Sequence, residues 1–511
     1  MPSPPDNTLG ICLPHQESIC TTTWWRVRTT QPTTQSSSGK ISLLGDLRCC
    51  APAHSAGPTL SSIYQHVHCR QNGGPGCSSM LGFFTENGPF AVNSAGGDGG
   101  QPVLSARNTS WHLAGANVVF LEAPVGVGLS YADNPSVDYH INDSSNAQDN
   151  LGAVLDFFAG WPEWQNNSLF LSGESYGGVY VPTLAYAIVK HNAAVPVPAR
   201  LNLQGIAVGN GCSGTEIGTC ANDNDDSAQA LHLEFFRGQA LVSSALYAAI
   251  QDECKGNYNH PTAQCVKLLT DMHYQIGPID VYNVIGTCAS PPAQDGSSSL
   301  DDLSAAPAWE FATGTRRWRR ARAQTPLEKR IGDELLKRYT AQGVSVDALG
   351  GVKPGPGPIE CIGDGEQGPY LDRGDVRAAL HVAPVSKIGH WHSCVEKQDW
   401  VYTSTEKNEP RDIYPTLLGA LNRTLIYSGQ ADGCVPWTDS EAWTAGMGLP
   451  TLPDGAWHPW YTSAQQVGGY VTEYTQGFTF LTVTGAGHMV PQFTPEKAFD
   501  MFSRFIKDHK Y

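Results

Sequence analysis

A short apolar run, Ser168-Leu169-Phe170-Leu171-Ser172-Gly173, breaks into Glu174-Ser175-Tyr176-Gly177 and then into a helical stretch over 179–191. No other feature limits the fold as much. A run of that length bounded by glycine reads as a buried strand. A strand that turns at once into a helix is half of a βαβ unit. In Gly173-x-Ser175-x-Gly177 the glycines permit a tight turn that lifts the serine oxygen clear of the sheet. Gly-x-Ser-x-Gly alone is weak evidence; at a strand-to-helix turn it is much stronger.

The same alternation recurs along the chain. Residues 117–122 (NVVFLE), 203–209 (LQGIAVG), 425–429 (LIYSG) and 480–484 (FLTVT) read as buried strands. Between them 143–161 is helical, with Leu151, Val154, Leu155 and Phe158 on one face and Pro162 ending it. Residues 495–507 form a terminal helix with Ala498, Met501, Phe502 and Phe505 inward. This predicts an α/β fold: a mostly parallel central sheet with helices on both faces. Residues 212–290 are helical and cysteine-bearing and read as a cap insertion. Residues 290–358 read as a linker-like loop, with the basic run Arg316-Arg317-Trp318-Arg319-Arg320. A solvated loop is the plain reading of that run, and a processing site or anion contact the sharper one. Residues 1–70, rich in Thr, Ser, Pro and Gln, read as irregular, which leaves N-terminal edge strands missing.

With 511 residues and 41% hydrophobic content the chain can bury a large core. Its formal net charge of −16 argues against nucleic acid as a partner, since phosphate binding needs a basic patch. No run approaches the roughly 18 apolar residues of a membrane span. The 14 cysteines lack zinc-ligand spacing, so disulfides in an oxidising compartment are expected, and no metal. Sequons at Asn108, Asn142, Asn166 and Asn422 point the same way.

Serine is a poor nucleophile without a base. Two later strand ends supply partners in the order Ser, Asp, His. Asp432 follows the strand at 425–429, and His488 sits in a glycine-lined loop after 480–484. His488 would take the Ser175 proton while Asp432 holds the imidazole tautomer. Among 16 histidines most are structural, but only the position of His488 suits this order. The backbone N–H of Tyr176, with Gly74 from Asn72-Gly73-Gly74-Pro75-Gly76, would form the oxyanion hole. That glycine loop would otherwise be a plain turn.

Taken together these residues resemble the serine carboxypeptidases, an α/β-hydrolase family of acid-active exopeptidases that are lysosomal, vacuolar or secreted. The resemblance is carried by 72–79 (NGGPGCSS), 86–89 (ENGP), 117–131 (NVVFLEAPVGVGLSY), 173–178 (GESYGG), 209–211 (GNG) and 485–492 (GAGHMVPQ). It implies that Asn72, the Gly73 N–H and Glu174 bind the C-terminal carboxylate of a peptide or protein substrate, with Glu86 bonded to Glu174. Glu174 could donate to a carboxylate only when protonated, and a second carboxyl beside it would raise its pKa. Its blander role would be a helix-start carboxylate complementing the dipole. Met489 would line the leaving-residue pocket, unless it merely packs in the core. A Cys77–Cys361 disulfide is implied, with Cys212–Cys220 and Cys254–Cys265 as local bridges. Some members lose a linker peptide where 290–358 lies. No organic cofactor is implied, and a homodimer is kept as an option.

The chain departs from the family just before the glycine loop. The family enters that loop on an apolar strand ending Trp-Leu-Asn; here the place reads Arg70-Gln71-Asn72. The absent Trp is expected to remove support for Asn72. No signal-peptide pattern opens the chain. Our expectation is that the reading frame before about residue 71 is wrong or truncated. Two functions compete with C-terminal hydrolysis. One is acyl transfer to an alcohol by the same scaffold, though such relatives usually carry Asp at the place of Glu174. The other is an inactive binding or stabilising protein, which the intact Ser175, Asp432 and His488 oppose.

Overall fold

The computed structural model describes residues 66–93, 102–221, 226–277, 279–286 and 366–511 except 396 and 398. It also describes strands within 20–49 and scattered helical positions between 327 and 338. One ten-stranded sheet organises the chain. Its strands are β1 (Cys20–Arg26), β2 (Ser42–Cys49), β3 (His66–Gln71), β4 (Ala116–Glu122), β5 (Ser168–Glu174), β6 (Leu203–Gly209), β7 (Arg423–Gly429), β8 (His458–Tyr461), β9 (Val467–Glu473) and β10 (Phe478–Val483). They lie in the order β1-β2-β4-β3-β5-β6-β7-β10-β9-β8. The central strands from β4 to β10 pair in parallel. The two outer strands on each side run antiparallel.

Side-chain alternation splits the core into two layers. Val119, Leu121, Leu169, Leu171, Ile206 and Val208 face the helices Asp143–Gly160 (α1) and Gly177–Ala194 (α2). Their neighbours Val118, Phe120, Phe170, Leu425 and Leu481 face Trp111 and the terminal helix Pro495–Lys507 (α3). Burial on both faces is why the central strands read as unbroken apolar runs. Asn142 caps α1, its side chain accepting the Ser145 N–H at 2.8 Å. In α3 the four residues expected inward, Ala498, Met501, Phe502 and Phe505, are all buried.

The structure corrects the reading of residues 1–70. Two strands, β1 and β2, continue the sheet beyond β4, so edge strands are present. The Thr-Thr-Thr-Trp-Trp run at 21–25 was read by its turn-like composition, whereas Thr and Trp are good strand formers. Strand β3 is central, paired with β4 and β5, and five of its six residues are buried. Its sequence, HVHCRQ, hides this because His68 and Arg70 are buried polar residues.

The insertion builds its own apolar cluster from helices Ser227–Gly238, Ser244–Cys254 and Ala263–Ile276. Leu327 and Ile331, helical positions inside the stretch read as a linker-like loop, are buried against it. The basic run 316–320 lies outside the described residues. Among the described residues no helix is long and apolar enough to cross a membrane.

Candidate active site

Four of the candidate residues sit just past the carboxyl ends of parallel strands, where α/β sheets place their clefts. Asn72 follows β3, Ser175 follows β5, Asp432 follows β7 and His488 follows β10. Ser175 has φ +59°, in the left-handed region that side chains rarely adopt. Backbone bonds over-determine this turn. The Ser175 N–H donates to Gly209 O at 3.0 Å, and its carbonyl accepts the Gly178 and Cys212 N–H groups at 2.9 and 3.0 Å. Gly73 lies flush against the elbow. A Cβ there would fall 2.4 Å from Tyr176 N and 2.6 Å from Glu174 O, so only glycine fits.

Asp432 and His488 are brought together. His488 Nδ1 and Asp432 Oδ2 are 2.6 Å apart, with both residues buried. Asp432 also accepts the Cys434 N–H at 2.8 Å and the Val435 N–H at 3.3 Å, which fixes the carboxylate. This leaves His488 Nε2 buried and without a hydrogen-bond partner. No bond to Ser175 Oγ is formed. Such bonds are often loose until substrate binds.

Beside the elbow lies a buried carboxyl pair. Asn72 Nδ2 donates to Glu86 Oε1 at 2.8 Å and to Glu174 Oε1 at 2.9 Å. Arg70 Nη2 contacts Glu86 Oε2 and lies 3.0 Å from Glu174 Oε2. Burial pushes the Glu174 carboxyl well above its usual range and Glu86 pushes it further, while Arg70 pulls the other way. For Arg70, burial pulls its pKa down, but the Glu86 and Glu174 carboxylates outweigh this and raise it.

The strand-to-helix turn at Ser175, the Asp432–His488 pair and the carboxyl cluster thus gather at the carboxyl end of the central strands. Residues 71–508 fit the model of the serine carboxypeptidase family. The chain belongs to the serine carboxypeptidases. It is 34% identical over 450 residues to serine carboxypeptidase-like 20 of Arabidopsis thaliana, covering 86% of this chain and 83% of the relative. It is 33% identical over 445 residues to serine carboxypeptidase 1 of Hordeum vulgare, with 86% and 83% covered. Lysosomal protective protein of Mus musculus is 31% identical over 451 residues, with 86% and 84% covered. The crystal structure of a prohormone-processing carboxypeptidase from Saccharomyces cerevisiae shares the fold at a TM-score of 0.60 and 18% identity, covering 96% of this chain and 92% of that one. The chain is thus a serine-type carboxypeptidase with an α/β-hydrolase fold.

In this carboxypeptidase Cys77 is bonded to Cys394, not to Cys361. Backbone pairing explains the choice. The strand-like bridge between Cys77 and Cys394 and the Ser78 N–H to Ser393 O bond of 2.8 Å bring the two segments side by side. Cys361 lies outside the described residues. Cys212–Cys220 and Cys254–Cys265 are both formed. Met489 is 5% exposed and packs with Val281 and Tyr282. Asn108, Asn166 and Asn422 are exposed, whereas Asn142 is half-buried as the α1 cap.

Three residues escaped the sequence reading. Tyr282, within the insertion, accepts the His488 N–H at 2.7 Å and lays its ring 5.0 Å from the imidazole. Asn210 accepts the Gly429 N–H at 2.9 Å and donates to Val435 O at 3.1 Å, tying both ends of the Asp432 loop. The third is Arg70. The GNG motif contains Asn210 and the departure from Trp-Leu-Asn marks Arg70, but neither pattern assigns a role; nothing local marks Tyr282. The support that a missing Trp was expected to deny Asn72 is present, through Glu86, Glu174 and the Ser79 hydroxyl at 3.2 Å from Asn72 N.

Proposed function

We propose that Ser175 is the nucleophile of this carboxypeptidase, His488 its general base and acid, and Asp432 the group that orients His488. Ser175 Oγ attacks the carbonyl of the last peptide bond as His488 Nε2 takes its proton. The oxyanion is received by the N–H groups of Tyr176 and Gly74. Collapse breaks the C–N bond, and His488 returns the proton to the departing amino group. Water, activated by His488, then releases the acyl group. Asp432→Asn should lower kcat by roughly ten-thousandfold, the scale seen for a lost tautomer lock.

Asn72, the Gly73 N–H and Glu174, backed by Glu86, form the grip for the substrate's terminal carboxylate. Met489 lines the leaving-residue pocket and favours apolar C-terminal residues. One observation carries this reading: the residue adjoining the nucleophile is a buried carboxyl held in a four-residue hydrogen-bonded ring. A protonated Glu174 donates to a carboxylate; an ionised one repels it. Peptide binding therefore weakens as pH rises through the raised pKa, which makes this an acid-favouring exopeptidase. The disulfides and the lysosomal relative support a lysosomal, vacuolar or secreted setting.

The test is incubation of purified protein with an N-blocked dipeptide at pH 5. Release of the C-terminal residue that Ser175→Ala abolishes is the expected result. Labelling of Ser175 by a fluorophosphonate without release of an amino acid would overturn the assignment.

A further inference from the structure

The carboxyl pair beside the nucleophile is bridged by a buried cation with no part in the roles above. We propose that Arg70 is the specificity-determining residue of the carboxylate grip. Its guanidinium offsets one of the two carboxyls, so the grip meets a terminal carboxylate as a neutral proton donor when it holds one proton rather than two. The proposal rests on the reading of Asn72, Glu86 and Glu174 as that grip.

The geometry is closed. Arg70 is fully buried. Nη2 contacts both Glu86 Oε2 and Glu174 Oε2, and Asn72 Nδ2 contacts the other oxygen of each. Nη1 donates to Gln71 O at 2.9 Å, and the guanidinium carbon lies 6.0 Å from the Trp111 ring centroid. A cation taken out of water persists only if it is paired. Both carboxyls are within its reach: Glu174, which the substrate is read to meet, and Glu86, which backs it.

The surroundings add little further charge. His68, two residues earlier on β3, is held neutral by burial and by Arg70, its pKa lowered to about 3. Tyr427, from β7, has its phenol pushed up, first by burial. Arg107 senses Glu86, but its guanidinium is engaged by the carbonyls of Phe84 at 2.8 Å and Gly88 at 3.3 Å. Arg107 keeps its charge at longer range, so the count among the groups in direct contact is Arg70 against two carboxyls. With one carboxyl protonated the trio is neutral. With an uncharged residue at position 70 that same state carries −1, and only double protonation is neutral.

Carboxyl pairs lose their two protons in widely separated steps, the second at higher pH. Arg70 lets the neutral state survive to the second step. Without it the neutral state ends at the first. Arg70→Met should therefore raise KM for peptides with a free C-terminus by roughly tenfold to a hundredfold near pH 5.5, the scale of one unit charge felt across several Å of protein. Arg70 also pulls the Glu174 carboxyl down, but less than Glu86 pushes it up, so without Arg70 the rise of KM with pH should still begin at lower pH. Turnover should change only a few-fold. An ester or C-terminal amide substrate, lacking the carboxylate, should keep its KM within about twofold of the wild-type value.

The experiment measures KM and kcat from pH 4 to 8 for matched free-acid and amide peptides. It uses Arg70→Met, Arg70→Lys and Arg70→Trp, the last being the residue that the family resemblance leads one to expect. Lys should recover part of the free-acid KM; Met and Trp should not. A purely structural role would depress both substrates together and lower kcat. An unchanged free-acid KM profile in Arg70→Met or Arg70→Trp overturns the proposal. Glu174→Gln separates the two readings. If it erases the preference for free acid and the Arg70 variants do not, the grip stands and the role of Arg70 falls. If it leaves the preference intact, both fall.

Discussion

Glu409 predicts how the stability of this enzyme depends on pH. Its side chain is fully buried, and neither carboxyl oxygen has a hydrogen-bond partner. Burial, then Glu406 and Asp143, push its pKa well above the ordinary glutamate value. The native state therefore holds this proton more tightly than the unfolded chain does. The contribution to stability is fully present below the unfolded pKa of about 4.3 and is lost as pH rises toward the folded pKa, at ~1.4 kcal/mol per pH unit. Glu409→Gln removes the titration but keeps the shape. Relative to wild type, the variant should gain stability between pH 5 and pH 7, by at most ~2.7 kcal/mol over those two units. Urea unfolding at several pH values, followed by tryptophan fluorescence, measures the difference directly. A variant-minus-wild-type difference that stays flat from pH 5 to pH 7 would falsify the argument, because it would mean that Glu409 is already ionised or hydrated in the native protein.

Three further outcomes can be checked. Tyr282→Ala removes the buried ring packed on His488 and should lower kcat about tenfold or more, read well below the melting transition because the cavity should also cost about 3–5 kcal/mol of stability; displaced catalytic groups are costly even by 1 Å. Asn210→Ala breaks two buried hydrogen bonds that hold the Asp432 loop and should destabilise the fold by about 1–3 kcal/mol, read by thermal melting. Cys77 and Cys394 lie on either side of residues 290–358, so a chain cut within that stretch should run as one species on non-reducing gels and two after reduction; separation without reductant would contradict the bond.

The strands that carry Ser175 and Asp432 were legible because both faces are buried. Phe170 and Leu171 serve opposite layers, so the run looks uniformly apolar. Strand β3 obeys the same burial but not the same composition. His68 is accommodated as a neutral ring 5.4 Å from Trp111 and 4.7 Å from Phe502, and Arg70 by carboxyls 16 and 104 residues away. Such long-range compensation leaves no local trace. The Cys77 partner was missed for a similar reason. It depends on how the segment around Ser393 packs on the glycine loop, and spacing carries no record of that. Tyr282 was hidden by its place in the insertion, whose contact with the His488 loop is a matter of tertiary docking.

The buried carboxyls share one physical logic and yet are separable. Glu122 sits under the glycine loop, accepting the Ser78 hydroxyl at 2.6 Å and the Leu129 N–H at 3.0 Å; burial still raises its pKa against those bonds. Glu174 is raised at the elbow and Glu409 at the start of the helix Glu409–Asp412. In each case neutral pH asks a dry site to hold a charge, so alkalinity should weaken both the fold and the grip. The two losses have different owners. The charged groups that act on Glu409 are Glu406 and Asp143, not those of the grip, so Glu409→Gln should flatten the stability profile and leave the KM profile where it was. Glu174→Gln should flatten the KM profile for free-acid peptides and, because burial raises its own pKa, should also remove part of the fall of stability with pH. If Glu409→Gln moved the KM curve together with the stability curve, the decline of activity with pH would be unfolding, and the carboxylate grip would have no titration of its own.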